Sequence, residues 1–490
     1  MDSIQAQDQW ALVLMLNYRI LIIMKNILNK SILMLLTTIV VVGCTKDFES
    51  INADPNNVSN VPPAYLTTNA QRGVMEQRFN FTGMLYAQQF SETQYTNTSR
   101  YETAEASFNN FYSGPLADFQ QVINLNTDEA TKDAALASGS NENQIAMARI
   151  MKVYTFQLIT DMWGNIPYME ALQGAEAFKP VYNNQQDIYA HFVTELTEAA
   201  AMIDVSGSIV GDIIYDGDMG AWKKFANALK ARVGIRMGNQ AAVESGLAGG
   251  FTSNADDALF AYLADANNDN PIWAHFITRT DYAISEVMVN YMTTLGGVTD
   301  PRLAVYADPA ENSGLIVGMP YGESESIAGS ITNADISFPG SAVRQAETPG
   351  ILMSYSEMMF IQAEAASNGW SVPGTAASNY DAGIQASMDY YSVDAADAAT
   401  YIAANPYVNI ESIGNQKWIC LYTNGHEAWS EWRRLDFPVL VKAPAAVEGR
   451  EIPRRRAYTQ REYDLNGVNL KAALDNQGAD VMDTRVWWDK

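Results

Sequence analysis

Cysteine is nearly absent from this chain. Its two residues, Cys44 and Cys420, cannot build a disulfide framework, and no CxxC pair is present for zinc or thiol redox chemistry. Histidine is almost as scarce. His191, His275 and His426 stand far apart, and His426-Glu427 lacks the second histidine of a zinc motif. Basic residues are few: 31 Lys and Arg against 56 Asp and Glu give a formal net charge of −25 over 490 residues. That balance excludes nucleic acid as a partner and excludes adsorption to anionic lipid through a basic patch, since both need a cationic footprint. Charged residues make up only 18%, too few for a charged coiled coil. No GxSxG, P-loop or dinucleotide-type glycine motif occurs in the right context. The acidic residues Asp54, Asp265 and Asp269 have no EF-hand spacing, so a structural calcium ion has no support and no cofactor is expected. What is abundant is apolar and aromatic material: 48% hydrophobic, with 25 Tyr and 10 Trp, enough for a sizeable core.

The first 43 residues read as a targeting segment. Met24 is a second plausible start, Lys25 and Lys30 supply a positive n-region, and Ile32–Val42 is an apolar run too short to span a bilayer. Residues 1–23 then look like an over-long start. Val41-Val42-Gly43-Cys44 resembles a bacterial lipobox, which makes Cys44 the lipidated N-terminus of the mature chain and outer-membrane lipid its anchor. Thr45–Glu49 resembles the export tag of Bacteroidetes surface lipoproteins, and Asn- and Pro-rich residues up to position 63 read as an extended tether.

The body, residues 64–490, has helical periodicity in several windows. Met147, Met151, Tyr154, Leu158 and Met162 form one stripe; Ile188, Phe192, Leu196, Ala199 and Ile203 a second; Trp222, Phe225, Ala226, Leu229 and Val233 a third. Ile351–Ala366 reads as a buried helix, Thr375–Tyr391 as an alanine-rich one, and Thr67–Gln89 and Leu116–Asn126 as weaker ones. The stripes at 147–162 and 188–203 suggest one helical hairpin, and 351–366 with 375–391 another. The pattern is tetratricopeptide-like but has no fixed period. The fold class is thus mostly all-α: degenerate helical hairpins over about 64–245 and 350–392, carrying a loop-rich part with little strand over about 250–349 and 393–490. Asn268–Asn290, Gly296–Gly350 and Ala395–Ile413 read as long ordered loops, being rich in Gly, Pro, Asn and Ser with interleaved aromatics. Arg433–Lys490 reads the same way, with Trp487-Trp488 packed on the body.

Six separated motifs occur in one order: the lipobox, Asp161–Tyr168 (DMWGNIPY), Trp222–Arg232 (WKKFANALKAR), Met353–Ala365 (MSYSEMMFIQAEA), Asn424–Arg434 (NGHEAWSEWRR) and Thr484–Trp488 (TRVWW). Together they resemble the SusD/RagB family of outer-membrane nutrient-binding lipoproteins, in its SusD-like branch. The resemblance implies about four degenerate tetratricopeptide pairs under a loop-rich second half. It also implies a surface protein that binds without catalysing: the hinged lid of a SusC-like TonB-dependent transporter, which captures a ligand, usually an oligosaccharide, and hands it on.

The same residues carry competing readings. In Asp161–Tyr168, Gly164 and Pro167 serve to end a helix, with Trp163 and Tyr168 filling the space beside the next one. Glu357 and Glu364, or Glu427 and Glu431, could be paired glycosidase carboxylates; pairing with Arg433 and Arg434 is the plainer reading. His426 reads as structural, and Cys420 as a buried free thiol. The remaining candidate ligand site is two aromatic clusters, since sugar C–H faces stack on rings while their hydroxyls need amide, carboxylate and guanidinium partners. One cluster offers Tyr95, Asn97, Arg100 and Tyr101; the other Trp273, Phe276, Arg279 and Tyr282. Alternatives to the glycan-binding lid are a peptide or other nutrient as cargo, a surface glycoside hydrolase, and a pure tetratricopeptide assembly adaptor.

Overall fold

The computed structural model describes residues 10, 13–28, 61–102 and 105–489. The chain divides into two units, Met1–Val61 and Pro62–Lys490. In the first, residues 13–28 are helical with exposed side chains, and no described helix is long and apolar enough to cross a membrane. The lipobox with Cys44, the export tag, Asp54 and most of the tether lie outside the described residues.

The second unit is built on helices whose buried stripes match the sequence periodicity. The principal ones, in chain order, are α1 Pro63–Arg78, α2 Phe81–Tyr86, α3 Ala117–Thr127, α4 Asn141–Trp163, α5 Gln185–Met202, α6 Met219–Met237, α7 Gln240–Gly249, α8 Pro271–Phe276, α9 Tyr355–Ser367, α10 Ala376–Tyr390, α11 Ala395–Ala404, α12 Ile410–Cys420, α13 Gly425–Leu435 and α14 Gln460–Gln477. Local chemistry sets their ends. Ser140 caps α4 by accepting from Asn143 N at 3.2 Å, and Asp218 caps α6 by accepting from Gly220 N at 2.7 Å. Thr375 and Ser378 form a reciprocal capping box on α10. Gly164 ends α4 at φ +83°, a conformation that penalises a Cβ. Four pairs pack side by side: α1 with α3, α4 with α5, α6 with α7, and α9 with α10.

Strands are short and pair two by two: β1 Phe90–Glu92 with β5 Tyr282–Ile284, β2 Ile166–Pro167 with β3 Tyr182–Asn183, and β4 Ala258–Phe260 with β6 Gly350–Met353, all antiparallel. Several sequence expectations are thereby corrected. Ile351–Met353 is strand, not helix. Ser354 accepts from Glu357 N and starts α9 only at Tyr355. The weak helix at 67–89 is two helices, broken where Asn80 caps α2. Ala395–Ile413 is not a loop: Asp394 caps the alanine-rich α11, and α12 begins at Ile410. Arg433–Lys490 likewise contains α14.

Ten charges lie at the centre. Arg232 of α6 forks onto both carboxylate oxygens of Glu357 at 2.6 Å. One turn on, Arg236 reaches Asp161 at 2.6 Å, Glu431 at 2.9 Å and also Glu427. Lys417 bonds Glu431 at 2.8 Å, while Arg434 bridges Glu431 at 2.7 Å to Glu364 at 2.5 Å. Arg433 lies 3.8 Å over the Trp429 ring and 4.7 Å from Trp488, and donates to the Asp161 carbonyl at 2.6 Å. Trp488 Nε1 in turn donates to the Asp161 carboxylate at 2.9 Å, docking the C-terminal Trp pair as the sequence suggested. Four cations thus pair with five carboxylates, Arg433 packs beside them, and together they join α4, α6, α9, α12 and α13. Burial pushes the Glu431 carboxyl up, but Arg434, Lys417 and Arg236 outweigh it and hold it well below the usual range. The α2–α13 crossing is tight: a Cβ on Gly83 would sit 2.6 Å from the Gly425 carbonyl carbon.

Breaking such a pair leaves an uncompensated buried charge. Replacing Arg236 by Met is expected to lower the urea-unfolding free energy by about 3–5 kcal/mol; a loss under 1 kcal/mol would contradict the picture. His426, buried in α13, gives a pH signature. Burial, helped by Arg78, Arg456 and Arg433, lowers its pKa to about 3. The unfolded chain then takes up the proton first, so the stability contributed by the neutral ring is complete above pH about 6.5 and is lost as pH falls towards 3. Between pH 6.5 and 5, above most carboxylate titration, the wild type is expected to lose about 2 kcal/mol more than His426→Gln. Parallel unfolding free energies for the two across that window would overturn this assignment.

Candidate functional site

The β1–β5 pair places Phe90 opposite Ile284 and Glu92 opposite Tyr282. That register brings together the two aromatic clusters, whose loops leave the strands side by side. Asp281, buried between them, is the fastening. Its carboxylate accepts from Gln94 Nε2 at 2.7 Å and from Arg279 Nε, and its carbonyl accepts from Thr93 N at 2.8 Å. Glu92 shapes the first loop from inside, accepting from Ser99 N at 2.8 Å and Ser99 Oγ at 2.7 Å. Burial pushes the Glu92 carboxyl above its ordinary value.

On this frame Tyr95 is 62% exposed, sits at φ +55°, and has the Arg279 guanidinium 5.9 Å from its ring centroid. A non-glycine residue in the left-handed region carries a conformational cost, and an exposed ring recovers little of it by burial. Asn97 is exposed beside it; with its amide nitrogen donating, it reaches Glu102 at 2.9 Å and Glu325 at 3.3 Å. In the second cluster, α8 is docked by His275, whose ring meets Tyr282 at 4.9 Å and Phe81 at 5.1 Å. Trp273 is 37% exposed on α8. Phe276 is half-buried against Phe338 and under Arg344, and Tyr282 stacks on Phe81 at 3.8 Å. Arg100 is half-buried, with Nε donating to the Ala445 carbonyl at 3.1 Å. Tyr101 is the correction: it is fully buried, its hydroxyl accepting from Ala443 N at 3.1 Å, so it supports the loop and cannot touch a ligand. Asp281 and Glu92 had no sequence signal beyond a lone carboxylate flanking each aromatic cluster.

Another face of α8, bearing Pro271 and Ala274, lines a cavity of about 890 Å³. Its other walls are α1, the Asp212–Asp216 loop, and the chain running from Phe260 to Asp269.

The other candidate groups are committed elsewhere. Glu357, Glu364, Glu427 and Glu431 are buried ion-pair partners with no cleft for a sugar between them. Arg434 pairs with two of them as expected, whereas Arg433 stacks on tryptophans instead. Tyr168 lies against α5, meeting Phe192 at 5.5 Å and His191 Nδ1 at 2.8 Å. Trp163 turns away from α5, donating to the carbonyls of Ala106 and Ala457. His426 faces Asn80 at 3.0 Å, and the buried Cys420 thiol faces Ser356 Oγ at 2.9 Å. Asp265 closes a turn by accepting from Asn267 N and Asn268 Nδ2, and Asp269 lines the cavity. Among the described residues no three His, Cys, Asp or Glu side chains are grouped to hold a metal.

A family model named SusD-like and described as starch-binding, associating with outer membrane, matches residues 55–459. No curated protein matches the chain. Among solved structures, a chitin-binding protein is 27% identical with a TM-score of 0.75, covering 87% of this chain and 99% of its own. A SusD homologue of Parabacteroides distasonis is 24% identical with a TM-score of 0.75, covering 87% and 97%. Another, of Bacteroides fragilis, is 20% identical with a TM-score of 0.74, covering 88% and 100%. These last two establish the fold alone, but the family model spans most of the chain: the chain belongs to the SusD-like family of starch-binding proteins that associate with the outer membrane.

Proposed function

We propose that the chain is a surface lipoprotein that binds an oligosaccharide at the face made by Tyr95, Asn97, Arg279 and Trp273 and delivers it to a partner SusC-like TonB-dependent transporter as the lid of an import complex. The acylated Cys44 holds it on the outer membrane, facing the exterior. The observation that carries the reading is Tyr95. Its exposed ring is kept in a costly backbone conformation by a buried two-loop frame and has a guanidinium beside it. Sugar C–H faces stack on such a ring while Arg279, Asn97, Glu102 and Glu325 supply partners for hydroxyls. The family description and the 27% identical chitin-binding protein support a glycan as the cargo. We read the capture as binding alone, a reading that the burial of Glu357, Glu364, Glu427 and Glu431 in ion pairs supports.

Calorimetry with malto- and chito-oligosaccharides tests this. One series is expected to bind, and Tyr95→Ala or Trp273→Ala to weaken it about tenfold, the equivalent of ~1.4 kcal/mol of stacking and desolvation. No new reducing ends should appear on prolonged incubation. Binding of peptides but of no glycan would replace the cargo, and sugar release abolished by Glu427→Gln would replace the binding role with hydrolysis. Cys44→Ser is expected to move the protein from the membrane fraction to the soluble fraction, and co-purification of a TonB-dependent transporter with the wild type tests the lid role.

A further inference from the structure

The 890 Å³ cavity on the far face of α8 is not part of the aromatic capture face, and its chemistry differs. Its volume falls in the range of small-molecule sites, roughly 300–1,000 Å³. Its apolar wall combines Met75, Ile213, Ile214 and Leu263 with the rings of Tyr215, Phe260 and Tyr262. An apolar body laid against this wall leaves no hydrogen bond unmet, whereas each hydroxyl facing its apolar side chains would carry a desolvation cost. The body of a well-fitting ligand is therefore apolar.

The polar groups decide its charge. Four carboxylates line the cavity, Glu76, Asp212, Asp216 and Asp269, against one guanidinium, Arg72. Asp212 is fully engaged: it accepts from Gln71 Nε2 at 2.8 Å, from Trp222 Nε1 at 2.7 Å, and from the backbone of Ile214, Tyr215 and Gly217. Arg72 Nη2 donates to the Asn267 carbonyl at 3.3 Å. Glu76, Asp216 and Asp269 have no ion pair among the described residues, in a lining that contains no lysine. Asp216 is held at φ +51° at the end of the loop that Asp212 organises. An apolar hollow rimmed by three uncommitted carboxylates and one cation complements a positive group on an apolar stem.

We propose that this cavity is a second ligand site, which takes a small amphipathic cation: an apolar body carrying a protonated amine. Its two wall systems divide the recognition. The aliphatic side chains of α1, the 213–214 segment and Leu263 desolvate the body, and Asp216, Asp269 and Glu76 hold the ammonium group at the rim. Because α8 contributes Pro271 and Ala274 to this cavity and Trp273 to the capture face, one short helix serves two chemically distinct sites.

The test is calorimetric titration of the purified protein with 4-phenylbutylamine, and with 4-phenylbutanol and 4-phenylbutyrate as neutral and anionic counterparts of the same body. The amine is expected to bind at least about tenfold more tightly than either counterpart, with an affinity that falls as salt rises. Asp216→Asn/Asp269→Asn, which alters two carboxylates outside the core, is expected to weaken the amine about fivefold to tenfold and to leave oligosaccharide binding intact. Ala274→Phe, a plug on an exposed wall position, is expected to abolish amine binding with an unchanged circular dichroism spectrum. Tyr95→Ala, which removes glycan capture, is expected to leave amine binding as it was, so failure of one site is separable from failure of the other. No binding of the amine, equal binding of amine and alcohol, insensitivity to the double substitution, or oligosaccharide binding lost in Ala274→Phe but not in Tyr95→Ala would each overturn the proposal.

Discussion

Moving a charge from water into a protein interior costs several kcal/mol, repaid only when its partners are well placed. This fold depends on meeting that condition at its centre. Arg232 and Arg236 lie one turn apart on α6 and therefore point the same way, into carboxylates from α4, α9 and α13. Lys417 and Arg434 close the remaining faces of Glu431 and Glu364. The network fixes rotation and register: a helix that slipped by one residue would strand several charges in an apolar core. It thus ties the helical pairs of the first half to the helices that follow position 350, although the long insertion between them contributes none of the ten charges.

That network also explains why the sequence was easier to read for fold than for site. The stripes in α4, α5 and α6 were legible because each long helix buries one face, and periodicity reports burial. The motif residues Asp161, Arg232, Glu357, Glu427 and Glu431 stood out because the buried ion pairs sit on them, and a charged residue inside an otherwise apolar helical run is visible. What failed was local. Ile351–Met353 is apolar and contiguous with α9, and a buried strand cannot be told from a buried helix by hydrophobicity alone; only the pairing with Ala258–Phe260 separates them. The alanine-rich residues 395–404 were masked by the Gly-, Pro- and Asn-rich surroundings that made the region read as loop.

The capture face was half legible for a related reason. Exposed aromatics beside polar residues mark a surface that burial does not account for, so Tyr95, Trp273 and Arg279 could be chosen from composition. Their meeting could not, because it rests on a three-residue strand pair and on Asp281, neither of which has a periodic signature. Tyr101 shows the converse. In sequence it is as aromatic and as well flanked as Tyr95, and it too has positive φ, yet its hydroxyl is bonded to Ala443 N beneath the loop. Whether a loop aromatic is a ligand contact or a prop is decided by the segment that covers it, here residues some 340 positions later in the chain.

The same logic limits what the surface can do. Glu92 and Asp281 hold their loops from inside, so the loops need no ligand to be formed, and a ligand meeting Tyr95 does not have to order the segment that presents it. Pre-ordering lowers the entropy cost of capture. A strongly acidic body adds little attraction for a neutral sugar, so its recognition rests on rings and short-range hydrogen bonds. In the cavity behind α8 the same acidity acts at close range. There, Glu76, Asp216 and Asp269 border an apolar wall and have no ion pair among the described residues. The negative charge that repels nucleic acid from the whole molecule gains a chemical preference in this hollow, where it borders an apolar wall.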